Sequence, residues 1–115
     1  MRVYELVVIL ESSLDDDEIQ EQIDKISSLV SAQDGSVLKI DRWGRKRFAY
    51  ELKDRWEGYY VIVQLKGEPK MVAEVERNLY ITDEVLRHKI SRLPVHVAEK
   101  VLSRVGSTPS TPSED

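Results

Sequence analysis

Residues 36–66 read SVLKIDRWGRKRFAYELKDRWEGYYVIVQLK, and how this segment divides decides the fold. Ser36 to Trp43 has the β-branched and aliphatic character of a strand. Gly44 interrupts it as a bulge or bend, and the pattern resumes with Phe48, Tyr50 and Leu52 on one face. The reading is one long, kinked strand. Asp54 to Gly58 has turn composition, and residues 59–66 make the next strand, with Tyr59, Val61, Val63 and Leu65 on one face and Tyr60, Ile62 and Gln64 on the other. The two strands are expected to pair as an antiparallel hairpin.

Helical patterns flank the hairpin. On its N-terminal side, Ile19, Ile23, Ile26, Leu29 and Val30 recur at three- and four-residue spacing. Ser12-Ser13-Leu14-Asp15 offers several N-caps, Asp15 to Glu18 place favourable negative charge at that helix start, and Asp34-Gly35 ends it, with glycine suited to a left-handed cap. Before the helix, residues 3–10 (VYELVVIL) form a strand apolar on both faces. After the hairpin, Glu68-Pro69 opens a second helix with Met71, Val72, Val75 and Leu79 as its stripe. Thr82 to Glu84 is a turn, and residues 85–90 form a fourth strand with Leu86, His88 and Ile90 on one face. The domain is expected to span residues 1–94; residues 95–105 read as a weak helix and 106–115 as a flexible tail.

The order β-α-β-β-α-β is the split-βαβ signature of a ferredoxin-like α+β fold. Right-handed crossovers give a four-stranded antiparallel sheet of order 4-1-3-2, with both helices on one face. Alternation leaves Glu5, Val7, Ile9, Tyr60, Ile62, Arg87 and Lys89 on the open face, and the second strand at an edge.

Composition limits the chemistry. The 115 residues are 41% hydrophobic and 33% charged, which suits one globular domain with a charged surface. No cysteine is present, so thiol nucleophiles, disulfides and cysteine metal sites are excluded. No apolar run approaches a bilayer span, and a cytosolic or organellar location is expected. Consecutive aspartates 15–17 point in different directions around a helix, and His88 and His96 lack partners at ligand spacing, so neither a metal nor another cofactor is expected. The absence of GxGxxG, P-loop and GxSxG motifs, together with the isolated glycines, speaks for a non-enzyme.

The net charge of −4 conceals a polar distribution. Glu11 to Asp24 holds seven acids and no base, whereas Lys39 to Arg55 holds seven bases. Such a patch matters more for phosphate binding than the mean charge does. The third strand lacks the stacking pattern of RNA-recognition modules, so cations meeting phosphates are favoured over base readout, and the apolar open face suits a protein partner.

Four segments then add up to a family. Arg2-Val3-Tyr4-Glu5, Trp43-Gly44-Arg45-Lys46-Arg47-Phe48-Ala49-Tyr50, Gly58-Tyr59-Tyr60 and Asp83-Glu84-Val85-Leu86-Arg87-His88 together resemble the bacterial small-subunit ribosomal protein six family. Position 88 departs from the pattern, with histidine where a small or aliphatic residue would pack more simply. The resemblance implies a structural constituent of the small ribosomal subunit that joins small-subunit ribosomal protein eighteen and binds the central domain of the rRNA. RNA contact would fall to Arg2, Arg42, Arg45, Lys46, Arg47, Lys53, Arg87, Lys89 and Arg92. Val7, Ile9, Trp43, Tyr50, Tyr60 and Ile62 are the candidates for the protein partner. The alternative is a self-associating ferredoxin-like regulatory or small-ligand module.

Overall fold

The computed structural model describes residues 2–94, 96–98 and 100. The elements run β1 (Arg2–Glu11), α1 (Asp16–Ala32), β2 (Ser36–Leu52), β3 (Arg55–Gly67), α2 (Pro69–Ile81) and β4 (Val85–Arg92). The sheet is antiparallel in the order β2-β3-β1-β4, the expected order read from the opposite edge. Residues 96–98 and 100 are helical, and the Ala98 N–H donates to the Pro94 carbonyl at 2.8 Å. The tail expected over residues 106–115 lies outside the described residues.

Strand alternation sorts the core. Tyr4, Leu6, Val8 and Leu10 of β1 face the same side as Tyr59, Val61, Val63 and Leu65 of β3, and all are buried. Ile19, Ile23, Ile26 and Val30 of α1 and Met71, Val75 and Leu79 of α2 pack onto that side in the same cluster. Both helices therefore cover one face. Burying such side chains contributes roughly 1.5–3 kcal/mol each, which outweighs any single polar contact described below.

The helix ends follow from their residues. Asp15 and Glu18 form a reciprocal capping box, with N–H to carboxylate distances of 2.8 and 2.9 Å, so two otherwise orphaned donors are satisfied. At the other end of α1 the left-handed residue is Asp34 (φ 61°), not Gly35 as expected. Gly35 is needed for space instead, since a Cβ there would lie 2.8 Å from the Lys66 carbonyl and against the Met71 sulfur. Pro69 begins α2, and the Thr82 hydroxyl closes it by donating to the Asn78 carbonyl at 2.7 Å.

The hairpin turns earlier than its composition indicates. β3 begins at Arg55, and Lys53-Asp54 alone form the loop between the paired residues Leu52 and Arg55. Both loop residues have positive φ (48° and 63°), as a two-residue hairpin turn whose twist matches the strands requires. Gly58, expected in the turn, lies inside β3 opposite Glu11. Its missing side chain makes room for Phe48, because a Cβ would meet Ile9 Cγ2 and lie 2.7 Å from Phe48 Cζ. Gly44 does interrupt β2 as a bulge, at φ 93°, with open space where a Cβ would stand.

These two glycines act for different reasons, which substitution separates. Gly58→Ala should cost about 1–3 kcal/mol through overpacking, whereas Gly44→Ala should cost about 1 kcal/mol through backbone conformation alone. Urea unfolding midpoints report the difference, and trimming Phe48 to leucine should relieve only the Gly58 variant.

Candidate nucleic-acid and partner interface

The four cations of the basic stretch of β2 are all exposed, but they do not make the same contacts. The bulge between Arg42 and Gly44 sets both Arg42 and Arg45 opposite core-facing residues of β3, Val61 and Tyr59. Their side chains therefore run along the helix side of the sheet. Arg42 Nε donates to the Tyr59 hydroxyl (3.1 Å), its NH1 donates to Gln20 Oε1 (3.3 Å), and NH2 lies 3.7 Å from the Asp16 carboxylate. Arg45 donates to the carbonyls of Ser12 (2.8 Å) and Leu14 (2.6 Å) in the loop before α1. Both guanidinium groups also lie over the Tyr59 ring, at 5.6 and 5.3 Å from its centroid. These two arginines tie the hairpin to the start of α1.

Lys46 and Arg47 are exposed. The Lys46 ammonium lies 5.7 Å from the centre of the Trp43 ring, and that ring is 53% exposed. Beyond them β2 is longer than its partner: four residues, 48–51, face Trp56 alone between the pairs Arg47–Glu57 and Leu52–Arg55. The surplus bends the hairpin tip over the open face. Phe48 meets Tyr60 there, with ring centroids 6.3 Å apart and planes tilted by 56°, within the separation at which aromatic pairs attract.

Three contacts hold the tip down. Arg55 donates to both Glu11 carboxylate oxygens at 2.7 and 3.3 Å, the Lys53 ammonium donates to the Val85 carbonyl at 3.2 Å, and Arg87 NH1 donates to the Tyr50 hydroxyl at 3.1 Å. The Glu11 carboxylate, first as hydrogen-bond acceptor and then by its charge, pushes the Arg55 guanidinium above its already high pKa. A groove of about 270 Å³ lies between tip and sheet, floored by Val7, Ile9 and Tyr60 and walled by Phe48, Tyr50 and Leu52. Arg47, Arg87 and Lys89 also line it, so an apolar floor has cationic walls.

The candidate residues thus separate into groups. Lys46, Arg47, Lys53, Arg87 and Lys89 share the tip and the neighbouring part of the sheet. Arg2 and Arg92 lie at the opposite end of the sheet, and Arg2 approaches Glu68 at 3.8 Å. Val7, Tyr60 and Ile62 are half-buried on the open face, and Tyr50 is 57% exposed. Ile9 differs from its companions: at 8% exposure it is covered by Phe48 and serves packing. His88 stands half-buried opposite Val8. Trp56, 50% exposed on the tip, was read only as a turn residue; once the turn is placed at 53–54, its position in a strand marks it as an exposed aromatic. Among the described residues no group of three metal-ligating side chains comes together, and no helix is long and apolar enough to cross a membrane.

A ferredoxin-like domain whose basic, aromatic hairpin folds over its own open sheet face defines a class of α+β binding scaffold. Comparison with known proteins makes this specific: the family model described as Ribosomal protein S6 matches residues 3–92, and the chain belongs to that family. It is 42% identical over 93 residues to the small ribosomal subunit protein bS6 of Moorella thermoacetica, covering 81% of this chain and 95% of that protein. It is also 42% identical over 96 residues to bS6 of Mycolicibacterium paratuberculosis, covering 84% and 100%. The crystal structure of 30S ribosomal protein S6 from Thermotoga maritima shares the fold, with a TM-score of 0.78 and 23% identity over 89% of this chain and 95% of that one. The family is one of structural ribosomal proteins rather than enzymes.

The split between bound and free cations is testable. Arg45→Ala, which leaves two loop carbonyls without their charged donor, should lower stability by about 1 kcal/mol after allowance for solvent exposure, or roughly 4–8 °C in melting temperature. Lys46→Ala should stay within about 0.5 kcal/mol of the parent. Thermal unfolding followed by circular dichroism checks both.

Proposed function

We propose that this chain is a non-catalytic assembly protein of the small ribosomal subunit. In this reading it binds the central domain of the small-subunit rRNA together with small-subunit ribosomal protein eighteen, in a ribosome of the cytoplasm. Family membership over residues 3–92 is the observation that carries the proposal. The geometry supports a division of labour. Lys46, Arg47, Lys53, Arg87 and Lys89 grip phosphates around the tip, with Arg2 and Arg92 as a second, separate contact. Val7, Tyr60 and Ile62, with the exposed rings of Trp43 and Tyr50 beside them, receive the protein partner. Arg42 and Arg45 act from behind by holding the hairpin in place, since their donors are engaged within the chain.

Phosphate contacts release counterions, so affinity should fall steeply with salt. Alanine at Lys46, Arg47 and Lys89 should reduce the slope of log affinity against log salt by about 1 for each contact removed, with an unchanged melting temperature. An unchanged slope in filter-binding titrations of a small-subunit rRNA transcript would count against the assignment. Because the chain carries a net charge of −4, binding in isolation should be weak and should tighten when the partner protein is added. Tight binding by the chain alone at physiological salt would contradict the shared-site reading.

A further inference from the structure

We infer that Glu11 is a positioning residue for RNA binding: through its fork to Arg55 it holds the basic hairpin tip in place while phosphates occupy the other cations. The inference rests on the reading of the tip as a phosphate-gripping surface. Glu11 ends the central strand β1, opposite Gly58, and its backbone N–H donates to the Glu84 carbonyl at 3.0 Å, just ahead of β4. Its side chain, 20% exposed, takes Arg55 at 2.7 and 3.3 Å. One residue thus joins the central strand, the approach to β4 and the tip.

The other two contacts that hold the tip differ in kind. Lys53 on the Val85 carbonyl and Arg87 on the Tyr50 hydroxyl are cations bonded to neutral acceptors. A phosphate oxygen is a stronger acceptor for either, so bound RNA would draw both donors away. Arg55 already has a carboxylate in bidentate geometry and is the donor least free to exchange. It is therefore the contact that survives when RNA arrives. An acid beside a polyanion site would ordinarily oppose binding by like-charge repulsion. Positioning and simple electrostatics consequently predict opposite signs for its removal.

The test uses the full chain and a small-subunit rRNA transcript at low ionic strength, where simple electrostatics is strongest. Glu11→Gln and Glu11→Arg each make the protein more positive, yet each should weaken binding by about two- to fivefold. The charge-swapped pair Glu11→Arg with Arg55→Glu, which restores both the net charge and the contact, should return affinity to within about twofold of the parent. Equal or tighter binding by Glu11→Gln and Glu11→Arg, or no rescue by the swap, would overturn the inference. Glu11→Gln is nearly isosteric, and circular dichroism confirms that its fold is retained. Alanine at Lys46 and Arg47 serves as the control. If it weakens binding while Glu11→Gln does not, only this inference fails; if it too changes nothing, the phosphate-gripping reading and the inference fall together.

Discussion

The close approach at Gly58 is the constraint on which the rest of this structure depends. Ile9 of the central strand and Phe48 of the edge strand meet above a residue with no side chain. Any Cβ there would hold the long hairpin away from the sheet. With the approach permitted, the surplus residues 48–51 can bend over the open face instead of projecting into solvent. The groove, the Phe48–Tyr60 contact and the reach of Lys53 and Arg55 toward β4 and β1 all follow from that bend. A packing requirement at one backbone position thus determines where several cations stand.

The two faces of β2 do different work because of its bulge. On the helix side, Arg42 and Arg45 spend their donors on Tyr59, Gln20 and the loop before α1. On the other side, Lys46 stands opposite Gly58 with its ammonium over the exposed Trp43 ring. This resolves why an overall acidic chain carries so concentrated a basic segment: part of it balances the acidic start of α1, where Asp16 lies 3.7 Å from Arg42.

Much of this was legible in residue patterns, and the limits have physical causes. Element order followed from hydrophobic period, and with right-handed crossovers it led to the sheet order. The core of β1 and β3 followed from alternation. That Arg42 and Arg45 reach back to Tyr59, Gln20 and the loop before α1 was not legible, because one bulge shifts the alternation, and its register depends on the partner strand rather than on β2 itself. The turn was displaced because Gly58 and Asp54 have turn composition, while the actual loop uses Lys53, a residue rarely found at positive φ. Ile9 was counted as open because alternation alone cannot show that the same sheet face will be partly covered by the hairpin's own tip. The pairing of Glu11 with Arg55 spans 44 residues and has no local signal at all.

The central place of β1 has a temporal consequence. Its neighbours in the sheet are β3 and β4, residues 55–67 and 85–92, both far along the chain. A ribosome making this protein releases VYELVVIL ahead of both β3 and β4, so that strand has neither of its partners until most of the domain has emerged. The hairpin of β2 and β3, by contrast, can close locally as soon as it is made. Non-local pairings delay folding because chain entropy is lost before contacts compensate it. The most apolar strand therefore spends longest unpaired during synthesis, and this is the interval in which the nascent chain is most exposed to misassociation.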